Sequence, residues 1–140
     1  MRFKAKLSNP QLLTRILQVH EKTTEQCLFK FSKKLMLFVT KTEYQDGTQI
    51  WSRIKTNTLF TDFRIESTTN NDIYVYLDLK NILRALKTYA KAQSIVVKLS
   101  KKNNIPFLTL EITVNSTNIT QDIPLQVLNA EEVRQIEIIF

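Results

Sequence analysis

The chain has 140 residues, with 20 Lys and Arg against 13 Asp and Glu, a formal net charge of +7 and 43% hydrophobic residues. That is the size of one ordinary domain, with enough apolar side chains to build its own core. One His, one Cys and one Gly exclude an internal disulfide, most metal clusters and glycine-rich phosphate loops, while the positive balance favours nucleic acid or another anionic surface.

The opening MRFKAKLS alternates basic and apolar residues and lacks the continuous apolar stretch of a signal peptide, so an intracellular placement is expected. This alternation predicts a half-buried strand over Arg2 to Leu7, with Phe3, Ala5 and Leu7 on one face and Arg2, Lys4 and Lys6 on the other. Ser8 or Asn9 can cap a helix that has Pro10 in its first turn, buries Leu12, Leu13, Ile16 and Leu17, and ends near Lys22. Its polar face shows Arg15, Gln18 and Lys22 with Glu21 at the margin, and His20 projects close to the apolar arc.

Three strand-like runs follow, over Gln26 to Phe31, Leu35 to Thr40 and Gln49 to Ile54, the last two joined by a turn at Asp46-Gly47. Cys27 alternates with Phe29 and Phe31 and reads as a small core hydrophobe. Runs at Asp62 to Ser67 and Ile73 to Leu79 flank a polar turn at Thr68 to Asp72, with Leu59, Phe60 and Phe63 as further core contacts.

The segment Leu77 to Ala92 is the most informative. Leu79, Ile82, Leu83, Leu86, Tyr89 and Ala90 form the apolar side of a helical wheel, and Lys80, Arg84, Lys87 and Lys91 recur on the other side. At about 100° per residue these cations fall within an arc of roughly 60°. Solvated helix faces usually mix both signs, because like charges one turn apart repel. A face with four cations and no acid points to a polyanion, with a merely solvated surface as the plain alternative.

Ser94 to Ser100 and Pro106 to Asn115 predict a hairpin, and a last strand spans Ile119 to Leu128. Pro124 interrupts the alternation of Ile119, Gln121, Ile123, Leu125 and Val127 and cannot donate to an interior ladder, so this strand is expected at an edge. It is then either open to strand addition by another chain or covered by a loop or tail. The whole order predicts an α+β domain, a largely antiparallel sheet with two helices on one face. With both apolar arcs on the sheet, Arg15 and Lys22 would join the second helix in one positive surface. His20 is the one imidazole, and its place beside an apolar arc reads as structure, so no enzyme site is assembled.

The segments MRFKAKLSNP, IWSRI, DIYVYLDLKNILRALK and DIPLQVL together resemble Hus-type subunits of the nine-one-one DNA-damage checkpoint clamp, relatives of the PCNA sliding clamp. The resemblance runs from Met1 to about Leu128, which implies a PCNA-like first clamp domain. It leaves 129–140 as a connector or tail, with the second clamp domain absent. It further implies a nuclear, non-catalytic subunit without cofactor, joined to two related subunits in a ring around duplex DNA. A clamp loader would place the ring, and checkpoint and repair factors would dock on it. In that frame Lys80, Arg84, Lys87 and Lys91, with Arg15 and Lys22, face the channel. Ile119, Gln121, Ile123, Pro124, Leu125 and Val127 lie on the strand that meets a neighbouring subunit. The apolar end Ile136 to Phe140 would need cover. Two other readings stay open: a stand-alone nucleic-acid-binding module, and a protein-interaction domain whose basic helix meets an acidic partner or a membrane surface.

Overall fold

The computed structural model describes residues 1–40, 50–67 and 71–139, with side chains of the last helix as far as Gln135. The turn expected at Asp46-Gly47, the centre of the Thr68 to Asp72 turn, and the side chains of the apolar end at 136–140 lie outside the described residues.

Among the described residues nine strands and four helices follow one another as β1 (Arg2–Leu7), α1 (Pro10–Glu21), β2 (Gln26–Phe31), β3 (Leu35–Thr40), β4 (Trp51–Lys55), α2 (Thr56–Leu59), β5 (Phe60–Glu66), β6 (Ile73–Asp78), α3 (Leu79–Thr88), β7 (Ser94–Lys102), β8 (Ile105–Val114), β9 (Thr117–Val127) and α4 (Ala130–Ile139). The strands form one sheet in the order β4-β3-β2-β6-β9-β8-β7-β1-β5, and its recorded pairings are antiparallel. The expected α+β architecture is the one observed.

Periodicity explains the layers. In β1 the odd positions Phe3, Ala5 and Leu7 are buried and the even ones exposed. Cys27, Phe29 and Phe31 of β2 and Ile73, Val75 and Leu77 of β6 join Leu13 and Leu17 of α1 and Ile82, Leu83 and Leu86 of α3 in one core. The two helices therefore cover the same face. The alternate residues Leu28 and Tyr74 point the other way and pack with Leu37, Val39, Leu128 and Val133 of α4 in a second, smaller core. Central strands are thus buried on both faces, which is why their sequences read as near-continuous apolar runs.

Local chemistry sets the helix ends. The Asn9 side chain accepts a hydrogen bond from the Leu12 N–H at 3.2 Å, and Pro10 opens α1. The Asp78 carboxylate accepts from the Lys80 N–H at 2.9 Å and starts α3. Here the expected span of Leu77 to Ala92 is corrected at both ends. Leu77 pairs with Cys27 and Leu125 in the sheet, and the Tyr89 N–H closes the helix on the Ala85 carbonyl. Ala90, expected on the buried arc, is exposed beyond the helix end. Neither α2 nor α4 was expected. Asn129 and Glu132 cap α4 reciprocally, each side chain accepting from the other's backbone N–H at 2.9 and 3.2 Å.

Cys27 is fully buried and desolvation pushes its thiol up to about 12, as suits a small core hydrophobe. Among the described residues no group of His, Cys, Asp and Glu is placed to hold a metal, and no helix is long and apolar enough to cross a membrane.

Candidate nucleic-acid interface

The apolar stripe of α3 seats that helix on the sheet with Ile82, Leu83, Ala85 and Leu86 buried. The opposite side presents Lys80, Arg84 and Lys87, all exposed. Lys91 is also exposed, but it sits in the turn beyond Thr88 and not on the helix. The stripe is therefore three helical cations extended by a fourth on the following turn. Among the described residues none of the four has an acidic ion-pair partner.

Lys80 lies in the first turn of α3, where the macrodipole disfavours a cation by about 0.3–1 kcal/mol. The Asp78 cap offsets part of that cost, and intrahelical stability gives no reason for a lysine there. Arg15 is exposed on α1, which packs beside α3 on the same sheet face, and Lys22 is exposed at the cap just past its end. The structure thus places Arg15, Lys80, Arg84 and Lys87 on the helix layer and leaves Lys22 and Lys91 on the turns that follow the two helices. Polar residues beside them that periodicity did not single out are Asn81 and Thr88, both exposed on α3.

The expectation of an edge for the last strand needs correction. β9 stands between β6 and β8 in the sheet order. Its ladder to β6, however, covers only Leu125 to Val127, whereas β8 accompanies it from Thr117 to Pro124. Over that first stretch, no strand among the described residues pairs with its other margin. Pro124 sits where the strand passes from one neighbour to the other, a position that tolerates its missing N–H. Ile123 is buried, Ile119, Leu125 and Val127 pack partly buried against the main core, and Gln121 and Pro124 are exposed. A groove of about 200 Å³ separates the free stretch from α3, lined among others by Asn81, Arg84, Thr88, Tyr89, Gln121 and Pro124.

His20 anchors the far end of α1 from inside. It is fully buried, with Nδ1 3.0 Å from Thr40 Oγ1 and Nε2 2.8 Å from Ser52 Oγ. Both ring partners are hydroxyls, so no carboxylate supports a positive imidazole, and burial lowers its pKa. The unfolded chain therefore takes up this proton first. The stabilising effect of a neutral His20 is complete above the unfolded value of about 6.5 and is lost as pH falls toward the depressed folded value. Urea unfolding between neutral and mildly acidic pH should show that decline, and His20→Gln should be less stable at neutral pH with a flatter pH profile. Equal profiles would refute the assignment.

A family model described as Hus1-like protein matches residues 1–138. The chain is 34% identical to the checkpoint protein hus1 of Schizosaccharomyces pombe over 98% of its own length and 49% of that protein's. It is 31% identical to the hus1 homolog of Dictyostelium discoideum, over 97% of this chain and 52% of that protein, and 30% identical to human HUS1, over 91% and 49%. The chain spans about half the length of the curated relatives it matches. Among solved structures it resembles the PCNA of Thermococcus kodakaraensis, with a TM-score of 0.67 at 17% identity, over 91% of this chain and 47% of that one. That likeness shows a PCNA-like fold.

Proposed function

Since this chain belongs to the Hus1-like family, we propose that it forms the first clamp domain of a non-catalytic subunit of a DNA-encircling checkpoint clamp. The observation that carries this reading is the helix layer. Two side-by-side helices bury their apolar sides on a sheet and present Arg15, Lys80, Arg84 and Lys87, with Lys22 and Lys91 exposed on the turns that follow them, and among the described residues none of the six has an acidic ion-pair partner. Lys and Arg aimed at phosphates position a protein without reading base edges. Contact with duplex DNA would be sequence-neutral and salt-sensitive, as a sliding surface requires.

In this reading the relatives' checkpoint role extends to this chain, whose work is nuclear and depends on two related subunits, a clamp loader, and repair and checkpoint factors. The free margin of β9 from Thr117 to Pro124 would meet a neighbouring subunit, with Ile119, Gln121, Ile123 and Pro124 at the contact. Leu125 and Val127 belong to it less directly, because β6 already pairs there. The C-terminal stretch 129–140, including α4, would begin the connector toward a second clamp domain.

Co-expression with the two related clamp subunits, followed by sizing, tests the assembly. The chain should co-elute with at least one of them. If the two subunits form a ring that leaves this chain out, or if both ignore it, the clamp reading falls.

A further inference from the structure

A second cationic surface lies on the opposite side of the sheet. Arg2, Lys4 and Lys6 alternate with the buried Phe3, Ala5 and Leu7, so they point away from α1 and α3. Register turns this alternation into a row across strands. Lys4 stands directly opposite Arg64 of β5 on one side and directly opposite Lys98 of β7 on the other. Like charges in directly opposed positions destabilise a sheet. Here three of them are neighbours.

The charges near this row are only partly answered from within the chain. Lys98 is paired with Glu111, and Arg2 stands opposite Glu66. Asp122 is held by Lys102 and the Thr109 hydroxyl, which keep its carboxylate below the usual range. Among the described residues, Lys4, Lys6 and Arg64 have no ion-pair partner. We propose that this row docks an extended acidic segment of a partner protein, with carboxylates on alternate residues.

Three features favour such a segment over nucleic acid. Arg2, Lys4 and Lys6 repeat every two residues, about 6.8 Å, which is the spacing of alternate side chains in any extended polypeptide. The positive strip is three strands wide, about 10 Å, with Glu111 of β8 beside it and Glu66 of β5 closing it at the Arg2 end. It is narrower than the roughly 12 Å major groove that separates two phosphate rows of a duplex. Finally, the aromatic rings of β1 and β5, Phe3, Phe60 and Phe63, face one another in the core. No stacking platform for single-stranded bases accompanies the cations.

The test uses the whole chain, a labelled peptide of alternating glutamate and threonine, and a labelled DNA duplex, read by fluorescence anisotropy at low ionic strength. The double variant K4E/R64E should bind the peptide at least about tenfold more weakly and leave duplex affinity unchanged. K80E/R84E should weaken duplex binding and spare the peptide. K4Q/R64Q provides the same reading without introduced acids should the reversal impair folding, which thermal melting would reveal. Equal peptide losses in both double variants, absence of peptide binding by the native chain, or loss of oligonucleotide binding in K4E/R64E would each overturn the proposal.

Discussion

Replacing Lys80, Arg84, Lys87 and Lys91 together by alanine is expected to weaken duplex binding at least about tenfold at low salt. It should also flatten the log–log salt slope by about 3 to 4, because each neutralised phosphate contributes about 0.9. The native slope follows from the same count. If four to six of the exposed cations each neutralise one phosphate, it should be roughly −4 to −5. Alanine keeps α3 intact, since it is the best helix former at exposed positions. The substitutions touch none of Leu79, Ile82, Leu83, Ala85 and Leu86, the residues that α3 buries. Anisotropy titrations on two duplexes of unrelated sequence provide the check. The loss should be the same on both, and a loss confined to one sequence would mean base readout and refute a sliding surface.

Within that stripe, Lys91 should matter less than its spacing suggests. On an uninterrupted helix it would align with Lys80, Arg84 and Lys87, but α3 ends at Thr88 and Tyr89 caps it. The apolar pattern could not reveal this end. Leu77 at the other end was equally ambiguous, because it satisfies the two-residue period of Ile73 and Val75 as well as the apolar side of the following helix. The Asp78 side chain decides between them by capping the Lys80 N–H, and Asp before an apolar-periodic segment is a readable start signal.

Local patterns carried most of the domain. Strict alternation in β1 and the stripes of α1 and α3 correspond to the buried faces observed. What stayed hidden was non-local. Pro124 correctly restricts its strand to a place where one N–H is dispensable, yet the position of β9 depends on β6, whose partner residue Val75 is distant in sequence from Val127. His20 was legible as structure, but its partners Thr40 and Ser52 come from two strands further along the chain. The outer cation row needs the register of β1 against both β5 and β7. By contrast, the α4 cap was available locally, since Asn129 and Glu132 stand three apart before the apolar Val133.

Leu83→Ala should remove about 2–5 kcal/mol of stability, the usual range for deleting a buried leucine side chain and leaving a partial cavity. Leu83 is 2% exposed and lies in the main core, in the same helical turn as Arg84. The loss is a large share of the roughly 5–15 kcal/mol that holds a domain together, so the urea midpoint should fall clearly. Its meaning for the interface lies in the contrast with the exposed cations. The alanine stripe should lower duplex affinity and leave stability nearly unchanged. Leu83→Ala should lower stability and leave the affinity of the folded molecules nearly unchanged, once the unfolded fraction is discounted. A parallel fall of both quantities in both variants would mean that the cations help to hold the helix in place. Separation of the two effects would instead mean that the core fixes where α3 lies, and that Lys80, Arg84 and Lys87 act only on what approaches from outside.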